Sequence, residues 1–420
     1  MKTQQAPLLL LSNVKRAQQN IEGIVVKTAL QKNRSYSKDF AANIFLKRED
    51  QQRVRSYKIR GAYNKIVSLT AAERENGVVC ASAGNHAQGV AFSCKHLNIN
   101  AKIFMPTPTP LQKVEQVRMF GDDKVEVILF GDTFDDAKHE ALRYSKLHNC
   151  TVIHPFDDPK IMEGQGTIGL EILEASTEPI DYLFLPIGGG GVASGVSSVF
   201  KELSPSTKII GVEPTGAASM STSIRNNKNT ELLEIDKFVD GAAVKKVGEL
   251  TYQICKQNLD SVITVDEGKI CETILKLYNR DAIVAEPAGA LTLAALSQFT
   301  EEIKGKNVVC VVSGGNNDIT RMEEIKERAL LYNGLKHYFL VKFPQRAGAL
   351  KQFVVDVLGP NDDITHFEYI KKNSREKGHA VVGIELKEKE DFTPLLNRMK
   401  EFQFYGDYIN EKESLMNILV

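Results

Sequence analysis

Four stretches hold side chains whose types and spacing could do chemistry. Lys58 lies in RVRSYKIRGA (53–62), with Ser56 and Gly61 close by, at an apparent strand-to-helix transition. Most lysines are solvated surface groups, but an amine held and partly desolvated there loses basicity and can condense with a carbonyl to a Schiff base. The run of Gly188, Gly189, Gly190 and Gly191 follows the apolar YLFLP and precedes small residues that can open a helix. Four adjacent glycines carry a high conformational-entropy cost. A backbone that presses its N–H groups around phosphate oxygens at a helix N-terminus gives a reason for them. In SAGNHAQG (82–89), Asn85 and Gln88 are spaced like a helix cap and the third residue after it, and capping alone explains the pattern. The other use of that loop is a carboxylate site with donors from Ser82, Gly84 and Asn85. In SGGNN (313–317), Ser313 puts a hydroxyl at a strand end with glycines clearing space beside it, a pattern that a generic turn also produces.

The glycine run admits two phosphates. Gly188, Gly190 and Ala193 fit the G-x-G-x-x-A spacing of dinucleotide folds, and Glu213 stands twenty residues past Ala193. A nicotinamide dehydrogenase fails on placement, because such a fingerprint starts its domain and several βα units precede this one. It also leaves Lys58 and Ser313 unused. A phosphate cradle together with a Schiff-base lysine points to pyridoxal phosphate, and Glu213 then reads as an ordinary strand-end acid. No metal is expected: the eight histidines show no H-E-x-x-H or paired ligand spacing, and His86 reads as a structural neighbour of Asn85.

The elements that must position these residues follow from periodicity. The runs 43–47, 77–82, 101–105, 124–130, 151–153, 182–186, 208–213, 261–265 and 307–313 are short, apolar or β-branched, and most are separated by helical spacing. Strands alternating with helices predict βαβ units and parallel sheets, whose ligands sit at the loops after the strands' carboxyl ends. After Asn316 a charged helix leaves the α/β region. From Leu335 the order is strand (335–343), helix (346–358), strand (363–372), strand (379–387), helix (391–402) and a last strand (404–409), a βαββαβ ferredoxin-like sandwich. The expected domains are therefore residues 1–330, catalytic, and 335–411, with a hinge at NGL near residue 334.

Composition narrows the partners. The 420 residues carry 53 basic and 53 acidic side chains, so nothing favours nucleic acid or an anionic membrane surface, and small-molecule chemistry is the better expectation. The six cysteines are spread without a C-x-x-C pair, as in a reduced, cytoplasmic protein. The N-terminal leucine run is too short for a signal segment or a membrane span.

The motifs SYKIRGA, SAGNHAQG, GGGG, EPAGA (286–290) and SGGN occur in the order and approximate spacing of the tryptophan-synthase-like, fold type II pyridoxal phosphate enzymes. With KRED (47–50) ahead of VRSYKIRGA and the appended C-terminal part, the chain most resembles the biosynthetic threonine dehydratases, from about residue 20 to its end. The resemblance implies an α/β fold with two open, mostly parallel sheets and a C-terminal α+β, ACT-like regulatory domain. It makes Lys58 the Schiff-base lysine and the base that removes the substrate's Cα proton. Asn85 would meet the cofactor's phenolic oxygen, while Gly188, Gly189, Gly190, Gly191 and Val192 would hold its phosphate. Ser313, a neutral hydroxyl, would face the pyridine nitrogen, and Ser82, Ala83, Gly84 and Asn85 would grip the substrate carboxylate. The substrate implied is L-threonine, with L-serine the alternative; isoleucine is the implied effector at the C-terminal domain, and a homotetramer the implied assembly. Serine dehydratases and serine racemases share the lysine and SGGN motifs, and only the appended domain and the longer match around Lys58 favour threonine. A degenerate enzyme kept as an amino-acid-binding regulator is disfavoured by the intact lysine and cradle. Two departures from the family pattern are Tyr57, where phenylalanine is common, and Thr28-Ala29-Leu30, where Thr-Pro-Leu is common.

Overall fold

The structure, a computed structural model, describes residues 9–369, 377–412 and 415–416. The chain divides into two compact units, residues 1–267 with 276–317, and residues 268–275 with 318–420.

The first unit contains β1 (Leu30–Lys32), β2 (Asn43–Arg48), β3 (Val78–Ala81), β4 (Ala101–Met105), β5 (Val125–Leu129), β6 (Thr151–Val152), β7 (Tyr182–Pro186), β8 (Lys208–Pro214), β9 (Ser261–Val265) and β10 (Asn307–Val312). They form two open sheets, ordered β1-β2-β10-β7-β8-β9 and β5-β4-β3-β6. Every pairing is parallel except that of β1, which runs antiparallel along β2. All five residues of β7 are buried, as a strand covered by helices on both faces requires. Nine of these ten strands match runs read from sequence to within a residue or two. The exception is β1, whose three residues LQK are too few and too polar for a periodic signal. The smaller sheet occupies the chain between β2 and β7, so that β10, last in sequence, closes the gap between them.

Close helix crossings bring the loops after the strands together. The helix Lys58–Val67 crosses the helix Pro159–Ala175 where a Cβ on Gly164 would lie 2.5 Å from the Arg60 carbonyl oxygen, so Gly164 permits that approach. A Cβ on Gly89, in the helix Asn85–Leu97, would lie 3.1 Å from the Lys58 backbone. Behind Lys58, the buried Arg60 guanidinium meets Glu49 (2.7 Å) and Glu171 (2.7 Å), and Lys47 joins Glu171 at 2.5 Å. Thr28 and Thr167 complete the network by donating to Glu49 and accepting from Arg60, respectively. Lys47, Glu49, Arg60 and Glu171 are all buried. They explain KRED and the arginine of KIRGA as the anchor of the helix that starts with Lys58, since removing one partner of a buried pair costs about 3–5 kcal/mol.

The second unit contains β11 (Lys336–Pro344), β12 (Asp363–Tyr369), β13 (Lys377–Glu385) and β14 (Tyr405–Tyr408) in the antiparallel order β12-β13-β11-β14. With the helix Phe392–Glu401, this is the ferredoxin-like sandwich that the sequence predicts. One face of the sheet supplies Phe339, Val341, Val382 and Ile384 to a core shared with Phe353, Leu395 and Met399. The helix expected over 346–358 is instead a short α-turn, Ala349–Gln352, running into a π-helical stretch, Phe353–Val357, with Phe353 and Val357 both buried. Residues 370–372 of the strand expected there lie outside the described residues. The helix Met322–Tyr332 also belongs to this unit, through a bond from the Tyr338 hydroxyl to Glu327 (2.7 Å) and an ion pair of Lys336 with Glu327 (3.3 Å).

Candidate active site

Lys58 is the first residue of its helix. Its half-buried Nζ donates to the Pro155 carbonyl oxygen at 2.9 Å. Burial lowers its pKa to about 8, and the carboxyl of Glu286 opposes that shift. The 155–156 segment that receives the amine also supports the glycine loop: a Cβ on Gly189 would stand 2.2 Å from the Phe156 ring, and one on Gly191 3.0 Å from Phe156 Cβ. His154 shapes the segment, its Nδ1 accepting from the Asp157 N–H at 2.7 Å. Burial lowers the pKa of His154 to about 4, which leaves that nitrogen free to accept.

The glycine run therefore has a packing reason besides any ligand. Gly188 is crowded by Ala242, and Gly190 by Thr251, with φ +93° in the left-handed region that favours glycine. Packing leaves the amides unused. Ile187 and Ser194 bond into the fold through their N–H groups, whereas none of the six consecutive N–H groups of residues 188–193, Val192 included, has a partner among the described residues. Those groups surround the start of the helix Gly191–Leu203, a ready anion site. They fit a phosphate, and Lys58 fits a carbonyl carbon; together they fit pyridoxal phosphate.

At the SAGN loop the capping explanation is corrected. The helix Asn85–Leu97 takes Gly84 as its cap, with no side-chain capping bond, and Asn85 is its first residue. The Asn85 side chain is engaged elsewhere: Nδ2 donates to Glu286 Oε1 (2.6 Å), and Oδ1 accepts from Asn316 Nδ2 (2.7 Å). Gly84 would direct a Cβ into open space, and Gly84 N–H donates to Ser82 Oγ at 3.3 Å. Ser82 N–H is spent on the Phe104 carbonyl, while those of Ala83, Asn85 and His86 have no partner among the described residues. The His86 ring is buried and bonded to the Ile153 carbonyl at 2.8 Å through Nε2; burial lowers its pKa to about 3, as suits a structural neighbour.

Ser313 is buried at the end of β10, and its Oγ donates to the Ala288 carbonyl at 3.1 Å. The SGGN loop locks onto the segment just ahead of Lys58, with Tyr57 N–H donating to Ser313 O (3.1 Å), Gly315 N–H to Arg55 O (2.9 Å) and an isolated bridge pairing Ser56 with Gly314. Tyr57 itself is half-buried in the core beside β7 and β10, which accommodates its ring as it would a phenylalanine. Two side chains given no role from sequence, Glu286 and Asn316, sit among these loops. Glu286 appears there only as the first letter of EPAGA, and no periodic signal marks it. Glu213 also differs from its reading as an ordinary acid. It is fully buried, accepts from the N–H groups of Met220 (2.6 Å) and Ser221 (2.8 Å) at the start of the helix Ser219–Arg225, and is raised to about 7 by burial.

Residues 21–314 match the family model described as pyridoxal-phosphate dependent enzyme, and residues 327–419 that of the C-terminal regulatory domain of threonine dehydratase. The chain is 59% identical over 404 residues to the biosynthetic L-threonine dehydratase IlvA of Halalkalibacterium halodurans, covering 96% of this chain and 97% of the relative. It is 55% identical over 414 residues to the enzyme of the same name from Bacillus subtilis (strain 168), covering 98% of each. Among solved structures, the processed form of threonine deaminase isoform 2 from Solanum lycopersicum aligns with a TM-score of 0.72 at 40% identity, over 77% of this chain and 90% of that one. Maize serine racemase aligns with a TM-score of 0.71 at 31% identity, over 77% and 99%. By the family model over residues 21–314 and by relatives matched along nearly their whole length, the chain belongs to the pyridoxal-phosphate dependent enzymes, within their biosynthetic threonine dehydratase branch.

Proposed function

We propose that this protein converts L-threonine to 2-oxobutanoate and ammonia, the entry step of isoleucine synthesis, with pyridoxal phosphate held on Lys58. The observation that carries the chemistry is a half-buried amine of lowered basicity bonded to Pro155, whose neighbour Phe156 packs on a glycine loop with six N–H groups that have no partner among the described residues. When bound, pyridoxal phosphate supplies an electron sink for the pair left at Cα. The Lys58 amine is positioned to take the Cα proton as general base. The N–H groups of residues 188–192 would hold the phosphate, and those of Ala83 and Asn85, with the Ser82 hydroxyl, would receive the substrate carboxylate. Gly84 keeps the space beside that carboxylate clear. Ser313 would serve the ring nitrogen as a neutral partner, and Asn85 the phenolic oxygen. In balance, threonine loses its β-hydroxyl as water, regains a water in hydrolysis, and releases ammonia.

Isoleucine is the effector we assign to the C-terminal unit, on the strength of the regulatory-domain match. Residues 1–330 and 335–411 are the functional division we favour, in a homotetramer. A cytoplasmic location suits six cysteines that are all free; no helix among the described residues is long and apolar enough to cross a membrane. Likeness to serine racemases gives a second reading, L-serine as substrate. Release of keto acid from threonine and from serine, each with and without isoleucine, separates the two. Lys58→Ala is expected to abolish both turnover and visible cofactor absorbance. Near-normal turnover in that variant would refute the proposal.

A further inference from the structure

Three loops far apart in sequence meet at one carboxyl group. Glu286 follows the core of the unit into the helix Pro287–Ala294 and is only 6% exposed. Its Oε1 accepts from Asn85 Nδ2 at 2.6 Å, and its backbone N–H donates to the Gly314 carbonyl at 3.2 Å. The glycines around it make room: a Cβ on Gly314 would stand 2.3 Å from Glu286 Oε1, and one on Gly289 2.1 Å from the Gly314 carbonyl oxygen. EPAGA and SGGN thus share a packing requirement that neither motif reveals alone.

The hydrogen bonds have a direction. The Val54 carbonyl can only accept, and it takes Asn316 Nδ2 at 2.9 Å; the second N–H of the same Nδ2 is shared between Asn85 Oδ1 (2.7 Å) and Gln88 Oε1 (3.0 Å). The Asn85 amide nitrogen then faces the Glu286 carboxyl. An ionised carboxylate is acceptor-only, so turning the Asn85 amide over would set its carbonyl against Glu286 and its NH2 against that of Asn316. With one N–H spent on Glu286, the amide has a second to give. We propose that Glu286 is a positioning residue that fixes the Asn85 amide with its free N–H available to the oxygen of a bound pyridoxal ring. The inference rests on the reading of Asn85 as that oxygen's partner. A buried carboxyl is costly to keep, and burial raises this one to about 7; holding a ligand-binding amide in one orientation is a reason to retain it.

The test uses the full-length protein without threonine, stripped of cofactor and titrated with pyridoxal phosphate, reading cofactor affinity by absorbance and then the visible spectrum of the reconstituted holoprotein. Glu286→Ala should weaken cofactor binding about tenfold and shift the visible band, as expected for loss of a bond to a charged group. Glu286→Gln, which can still accept from Asn85, should stay within a few-fold of the parent. Asn85→Ala should be impaired, and adding Glu286→Ala to it should change nothing further, because the two act through one contact. Asn85→Asp sets two carboxyl groups face to face, and Glu286→Gln in the same chain should relieve it; this isosteric pair serves if Glu286→Ala does not fold. The inference is overturned if Glu286→Ala behaves like the parent while Asn85→Ala is impaired, if the two effects add, or if Asn85→Asp is not relieved. If Asn85→Ala itself binds cofactor normally, the reading of Asn85 falls first and takes this inference with it.

Discussion

At the scale of single residues, environment converts ordinary side chains into reactive or fixed ones. Lys58 owes its lowered pKa, about 8, first to burial, with Glu286 pulling the other way. The free amine is the form that adds to a carbonyl, and its share grows as pH rises toward that value. The rate at which apoprotein gains visible absorbance on adding pyridoxal phosphate should therefore climb with pH and level off above about 8. A rate unchanged between pH 6.5 and 9 would remove Lys58 from that role. The lysine was legible in sequence because its neighbours form a recognisable block. Glu286 was not, because a carboxyl's meaning depends on what lies 2.6 Å from it, here a residue 201 positions away.

Among the elements, the same residue type serves opposite ends. Gly189 and Gly84 both flank loops that follow parallel strands, yet a methyl group at Gly189 would strike the Phe156 ring and one at Gly84 would meet nothing within 4 Å. Gly189→Ala should therefore lower stability by about 1–3 kcal/mol through overpacking, measured by denaturant melting. Gly84→Ala should change stability by less than about 0.5 kcal/mol while raising KM for threonine, because its methyl group enters the proposed carboxylate site. Equal stability losses in the two variants would contradict the distinction. Sequence marks both positions as glycine in a post-strand loop and cannot separate them, since the difference lies in neighbours brought by other segments.

For the whole molecule, the chain forms two units with separate cores. The four-stranded sheet and its helices share the core of Phe339, Val382 and Leu395, while the pyridoxal-type unit builds its own around β7 and β8. Tyr338→Phe removes one bond to Glu327 inside the second unit, a loss of about 1 kcal/mol. Calorimetry should show more than one transition, with this variant moving one of them and leaving another in place. A single transition that shifts as a whole would mean that the units unfold together. On the proposed assignment of isoleucine to this unit, isoleucine should raise the transition that Tyr338→Phe lowers, since a ligand stabilises the unit it binds; no effect on that transition would count against the assignment.

By itself, the sequence determined the strand-helix alternation, the ferredoxin-like second unit and the four chemically suggestive stretches. These rest on local periodicity and on spacing within one segment, both of which survive in a linear string. The tertiary structure decided what the stretches do for one another. It turned Asn85 from a helix cap into a side chain held by Glu286 and Asn316. It gave the glycine run a packing role against Phe156 as well as six N–H groups without a partner among the described residues, and made Glu213 a buried acceptor for N–H groups in the first turn of a helix. Hydrogen-bond direction, close approach and burial are properties of pairs of residues, and which residues pair is set only when β2, β7 and β10 lie side by side.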